Sequence, residues 1–210
     1  VQDGQLPIES LEAETKFCLG CRACEPVCPA GVEYGVLIEE ARDQIWNGSK
    51  RPLIVKGLYF ALRFLKFKNL FIKERKTDSN NYLMLGCFEQ LVAPEAVAAL
   101  KKLDPTLQIV KEQGCCGALH SHNGELSEGK DMAKQLGKDL TGKIITTSAG
   151  CASHIAQSIG RERVIEFSEY WSSLNQSPKP IKIKGKFARI GFQDSCHGRN
   201  GLGIWREPRE

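Results

Sequence analysis

The chain has 210 residues, room for one ordinary domain or two small ones. Its hydrophobic share of 41% and charged share of 26% fit a soluble globular protein, and a net charge of +4 with both signs mixed is too mild to argue for a nucleic-acid binder. Nine cysteines stand out: an odd count argues against a closed disulfide framework, and their grouping favours metal ligation in a reducing compartment.

The chain starts at Val1, with no charged-then-apolar leader, and ends at Glu207-Pro208-Arg209-Glu210. Both ends read as those of a piece of a longer or processed protein. The expected location is the cytoplasm, or the cytoplasmic face of the inner membrane.

Residues 1–50 carry four cysteines and then a helix. Cys18-Leu-Gly-Cys21-Arg-Ala-Cys24-Glu-Pro-Val-Cys28-Pro29 has the C-x2-C-x2-C-x3-C-P spacing of a bacterial ferredoxin. Three thiolates two residues apart on a curling loop can grip three irons of one 4Fe–4S cubane. The fourth, displaced by the proline turn, points to a second cluster. A four-cysteine zinc site shows two separated C-x2-C pairs instead, so Cys18, Cys21, Cys24 and Cys28 are read as iron–sulfur ligands. The first cubane then needs a fourth ligand from a companion run. After the Pro29-Ala30-Gly31 turn, Tyr34, Leu37, Ile38, Ala41 and Ile45 recur at helical spacing, and Asn47-Gly48-Ser49 ends the helix.

Residues 51–80 read as a basic amphipathic helical connector. Leu53, Ile54, Leu58, Leu62, Leu65 and Phe71 are apolar, while Lys56, Arg63, Lys66, Asn69 and Lys73 fall on roughly one side of a helical wheel. The charges exclude a spanning helix. Two readings stay open: a helix packed on its own protein, or one touching a membrane surface or a partner subunit.

Residues 81–210 alternate apolar runs and helical stretches. Strands are expected at 82–86, 107–110, 143–147, 163–167 and 187–192, with helices from Pro94 to Lys102 and from Ser127 to Leu140. That alternation predicts a parallel, doubly wound sheet, in which ligands sit past the carboxyl ends of the strands. Cys87, the Cys115–Cys116 pair, Cys151 and Cys196 each follow a predicted strand. In a parallel sheet all five reach one edge, which argues for a shared metal site. The strand before Cys196 echoes the one before Cys87 and is read as the start of a second copy of the unit.

Cys115-Cys116-Gly117 between two lone cysteines resembles the cysteine-rich CCG domain of heterodisulfide-reductase-like proteins. The run from Cys18 to Gly35, Gly114-Cys-Cys-Gly-Ala-Leu-His-Ser-His122, Ala149-Gly-Cys151 and Gln193-Asp-Ser-Cys-His197 together are similar to the iron–sulfur subunit of bacterial glycolate oxidase. This resemblance implies an α/β chain: a small α-helical ferredoxin-like half-module followed by a Rossmann-like CCG domain. It implies two 4Fe–4S clusters in the complete protein and a further iron–sulfur or zinc site at Cys87, Cys115, Cys116, Cys151 and Cys196. It also implies an FAD-carrying partner that oxidises glycolate, and quinone or another membrane acceptor. Lactate or anaerobic glycerol-3-phosphate dehydrogenase subunits, and a heterodisulfide-reductase-type enzyme, are the alternatives.

The chain departs from that pattern in places. A companion ferredoxin run and a second Cys-Cys-Gly are absent, the stretch between Cys28 and Cys87 is short, and the family's C-x2-C reads Cys151-Ala-Ser-His154. His120, His122, His154 and His197 could ligate or tune a metal, or serve as loop, capping and helix-surface residues. No Ser/His/Asp arrangement, phosphate loop or dinucleotide fingerprint occurs, so no catalytic residue is assigned.

Overall fold

A computed structural model describes residues 7–46, 51–68, 74–109, 113–174, 182–183, 186–187 and 191–209, with the helical backbone alone over 62–68. The expected stop at Asn47-Gly48-Ser49 and the wheel positions Asn69, Phe71 and Lys73 lie outside the described residues.

The amino-terminal part is helical around a loop. A short 3-10 turn leads into α1 (Glu12–Phe17), a helix the periodicity did not reveal because it is only six residues long. Cys18 leaves α1 in extended conformation, and the chain then curls through Gly20 (φ 67°), Arg22 (φ 58°) and Gly31 (φ 63°). The helix α2 (Tyr34–Trp46) follows, burying Ile38, Arg42, Ile45 and Trp46. The helix α3 (Leu53–Lys68) occupies the expected connector.

The rest is mixed α/β. Three strands, β1 (Asn81–Met84), β2 (Lys143–Thr146) and β3 (Val164–Glu166), form a parallel sheet in the order β1-β2-β3. Tyr82 pairs with Ile144, and Ile144 with Val164. Beside β1, Gln108 makes one parallel bridge to Tyr82, so the stretch expected as a strand at 107–110 contributes isolated bridges rather than a full ladder. Val110 lies outside the described residues.

Helices cover both faces of the sheet, which is why its strands are apolar on both sides. After β1 come α4 (Glu89–Val92) and α5 (Pro94–Leu103), the latter with Pro94 in its first turn. Next are α6 (Ala118–His122) and α7 (Leu126–Asp139), then α8 (Ala149–Ile159) after β2 and α9 (Phe167–Ser173) after β3. Met84, Ile144 and Val164 pack with Leu136 and Leu140 of the α7 region and Ala152 and Ile155 of α8. Their strand neighbours Leu83 and Ile145 point the other way, to Leu107, Ile109 and Tyr170.

The described residues of the fifth expected strand do not join this sheet. Lys186–Phe187 (β5) pairs antiparallel with Lys182–Ile183 (β4), and residues 191–195 have no regular structure. A partner two residues away closes at far lower entropic cost than one across the domain. The reading of 187–192 as the start of a second copy of the unit falls in part on residues 188–190, which lie outside those described.

Candidate metal centre

Four of the five post-strand cysteines meet. Cys87 lies in the turn after β1, Cys115 and Cys116 precede α6, and Cys151 sits in the first turn of α8 after β2. The Cys87 and Cys115 sulfurs are 3.9 Å apart, and those of Cys116 and Cys151 are 3.0 Å apart. Strands β1 and β2 of the parallel sheet carry Cys87 and Cys151 to one edge, where the Cys115–Cys116 loop meets them.

Glycine makes the crowding possible. Gly117 has φ 85°, and a Cβ there would lie 2.1 Å from the Gly129 carbonyl oxygen. The third residue of Cys-Cys-Gly therefore lets α6 lie directly on α7. The Gly117 and Ala118 amides then point at the Cys115 and Cys116 sulfurs, at 3.4 and 3.5 Å.

Electrostatics separate the four sulfurs. Hydrogen bonds from the Cys116 and Cys87 thiols hold Cys115 well below the usual thiol range, against the cost of burial, and the Gly117 amide helps. Cys151 is likewise lowered, chiefly by the Cys116 thiol. Cys116 is pushed up by its bonds to Cys115 and Cys151 and by burial, and Cys87 is pushed up by Cys115 and by burial. Four thiols this close cannot all ionise unaided; a bound cation would supply the missing positive charge. The donor set is all sulfur, which suits iron–sulfur clusters or zinc and not magnesium or calcium.

Cys196, the fifth expected member, lies on a segment that packs against the start of α8: a Cβ at Gly198 would be 3.5 Å from the Ala149 Cβ. Cys196 is exposed, directly before the turn His197–Gly201, and among the described residues it makes no sulfur contact.

The ferredoxin-type cysteines lie on the loop between α1 and α2, half-buried at Cys18, Cys21 and Cys28 and exposed at Cys24. The Gly20 amide points at the Cys18 sulfur at 3.4 Å. Cys28 is lowered by the backbone amides of Val32, Ala30 and Gly31, which fan around its sulfur. Amides aimed at thiolates stabilise negative charge, as a cluster-binding loop requires.

The two cysteine groups share an interface. The buried Arg42 guanidinium donates to the Thr15 carbonyl at 2.8 Å, to the Cys18 carbonyl, and to the His122 carbonyl at 2.9 Å. Asn200 donates to the Cys21 carbonyl at 2.9 Å, and Arg22 reaches the Ser153 hydroxyl at 3.4 Å. Between them lies a cleft lined in part by Glu39, His122, His154 and His197. Arg42 escaped the sequence reading although a signal existed: it sits four residues after Ile38 on the apolar stripe of α2.

Each histidine has an occupation. His122 Nδ1 lies 2.6 Å from Glu39, and its ring stacks on His197 at 5.1 Å. The buried His154 lies 3.1 Å from the Gly129 carbonyl, and burial lowers its pKa. His197 falls to about 4, through burial and the neighbouring His122 and Arg22. His120 Nδ1 lies 2.5 Å from Glu125 and stacks on Tyr59 at 4.6 Å. His120, Glu125 and Glu128 bring ligand atoms within 4.8 Å of one another, but Glu125 is already paired with Arg51.

Residues 83–156 match the family model of the CCG cysteine-rich domain, a span that contains the four converging thiols and excludes Cys196. Among the proteins the chain resembles are iron–sulfur subunits of glycolate oxidases and a subunit of a heterodisulfide reductase.

The chain is similar to the iron–sulfur subunit of bacterial glycolate oxidase. It is 26% identical to the probable glycolate oxidase iron–sulfur subunit of Bacillus subtilis, over 100% of this chain and 65% of that protein. It is 26% identical to the glycolate oxidase iron–sulfur subunit of Escherichia coli, over 67% of this chain and 45% of that protein. It is also 23% identical to one subunit of the dihydromethanophenazine:CoB–CoM heterodisulfide reductase of Methanosarcina barkeri, over 96% of this chain and 57% of that protein. The chain thus spans under two thirds of the length of each. No solved structure matches it.

Proposed function

We propose that this chain is the electron-transfer part of a glycolate oxidase or dehydrogenase, working beside a flavin subunit that converts glycolate to glyoxylate and delivering electrons to quinone or another acceptor. The observation that carries this reading is the placement of two all-thiol groups on either side of one interface, joined by Arg42. Iron–sulfur clusters, when bound, accept and release single electrons.

The chain's own residues would hold and tune those groups. Cys18, Cys21 and Cys24 would grip one 4Fe–4S cluster and Cys28 a second. Cys87, Cys115, Cys116 and Cys151 would hold an iron–sulfur or zinc site. Amides at Gly20, Ala30, Val32 and Gly117 would stabilise thiolate charge, which raises reduction potential. Arg42 fixes the loop against α6, so the distance between the two groups is set by a buried hydrogen-bonded contact. Substrate oxidation is assigned to the flavin subunit.

A heterodisulfide-reductase-type reading has one observation in its favour, the similarity to the Methanosarcina barkeri protein. The two are separated by adding glycolate, without oxygen, to the chain together with its flavin partner. Bleaching of the cluster absorption supports the electron-transfer reading. Unchanged absorption, with disulfide cleavage by the chain alone, would support the other.

A further inference from the structure

One side of the helix α3 packs on other described parts of the chain. Val55 is 8% exposed. The Tyr59 hydroxyl donates to the Leu119 carbonyl at 3.2 Å, and the Arg51 guanidinium lies 5.2 Å from the Tyr59 ring centre while pairing with Glu125. On the other side Leu53 and Ile54 are each 82% exposed and Phe60 is 66% exposed, with Lys56, Gly57 and Ala61 also exposed. Residues 53, 57 and 60, and 54, 57 and 61, follow helical spacing, so these form one stripe.

Charge is concentrated around the same helix. Residues 51–76 hold eight Lys and Arg against one acid, Glu74, a balance of +7, whereas the whole chain is only +4 and the remainder is therefore −3; of these, Arg51 pairs with Glu125 and Arg75 donates to backbone carbonyls, while Lys56 is exposed. No helix among the described residues is long and apolar enough to cross a membrane.

We propose that α3 lies flat on an anionic phospholipid surface, with Leu53, Ile54 and Phe60 at the boundary between headgroups and acyl chains and Lys56 among the phosphates. An exposed apolar stripe beside an exposed lysine, in a strongly basic stretch of sequence, is the pattern of an interfacial helix. It fits a protein partner poorly, because the cores of protein interfaces are depleted of lysine and of charge generally. Docking of this kind fixes where the molecule sits and stands apart from the choice of substrate. Its consequence is spatial: Tyr59 stacks on His120, so α6, the helix that follows Cys-Cys-Gly, would lie about one helix diameter, roughly 10 Å, from the lipid.

The test is flotation of the intact, anaerobically purified protein with vesicles of phosphatidylcholine alone and of equimolar phosphatidylcholine and phosphatidylglycerol. The protein should float with the mixed vesicles, stay behind with the neutral ones, and be released by high salt. Lys56→Glu changes the charge by two units and should weaken binding about 25-fold, at about fivefold per charge. Leu53→Glu with Ile54→Glu should abolish it. Both sites are exposed, so circular dichroism and cluster absorption should stay unchanged, which separates lost docking from misfolding. Cluster reduction in solution should also be unchanged, so failure here leaves the electron-transfer reading standing. The proposal is overturned if neither vesicle binds the protein, or if both variants bind as the wild type does. It is equally overturned if the double variant keeps lipid binding and loses a co-purifying subunit instead, since the stripe would then be a protein interface.

Discussion

Arg42 donates from Nη1 to the His122 carbonyl at 2.9 Å, joining the helix that follows the ferredoxin-type loop to the helix that follows Cys-Cys-Gly. The same guanidinium holds the carbonyls of Thr15 and Cys18. One buried charge thus ties both cysteine groups together, and burial lowers its own pKa while the nearby Cys18 favours its charged form.

Replacing Arg42 by Ala should leave these carbonyls without their donor and cost about 3 kcal/mol, the scale for losing hydrogen bonds to a buried charged group. The expected results are a lower thermal midpoint and faster bleaching of the ferredoxin-type cluster in air. Lys, with no planar fork, should restore only part of the loss. An Arg42→Ala protein with wild-type unfolding and cluster lifetime would remove the bridging role.

The four converging cysteines and Cys196 should behave differently. Cys116→Ser and Cys151→Ser each remove one of the paired sulfurs 3.0 Å apart, and should strip metal from the second site while leaving the ferredoxin-type absorption in place. Cys196→Ser should retain that metal, because its thiol is exposed and makes no contact with the four sulfurs among the described residues. Metal analysis of the three variants decides this; loss in Cys196→Ser equal to that in Cys116→Ser would contradict it.

Acid stability should depend on Asp104. Burial opposes its ionisation, but hydrogen bonds from Thr106 and Tyr170 outweigh that, and the net shift is downward. Tyr170 is in turn pushed up to about 12, first by burial and then by its bond to Asp104. A carboxyl lowered by folding stabilises the native state above its ordinary value of 3.8, and the gain is lost as pH falls through the lower folded value. Asp104→Asn should cost about 1–2 kcal/mol at neutral pH, from weaker bonds to Thr106 and Tyr170. The variant should also lose less stability than the wild type as pH falls below 4, as followed by urea unfolding. A parallel decline in both proteins would show that Asp104 is not responsible.

Much of the layout was legible because thiols and strand periodicity are local signals. The C-x2-C-x2-C-x3-C run marks one loop by itself, and Tyr82, Ile144 and Val164 lie within apolar runs that became neighbouring strands. Partnership was less legible. Arg42 looked like one more charge on an amphipathic helix, and only the packed structure shows it buried against carbonyls from distant segments. The segment 187–192 has strand composition, but strand composition does not choose a partner, and Phe187 pairs with nearby Lys182. The histidines illustrate the same limit: His122 and Glu39 are far apart in the chain, and no local pattern announces their 2.6 Å contact.

The account rests on iron and inorganic sulfide at Cys18, Cys21, Cys24 and Cys28. Counting both in protein purified without oxygen, with electron paramagnetic resonance before and after dithionite, tests this most directly. Iron and acid-labile sulfide in equal amounts are predicted, with a 4Fe–4S signal on reduction that is lost in Cys21→Ser. Zinc in place of iron, or a colourless protein without labile sulfide, would contradict it.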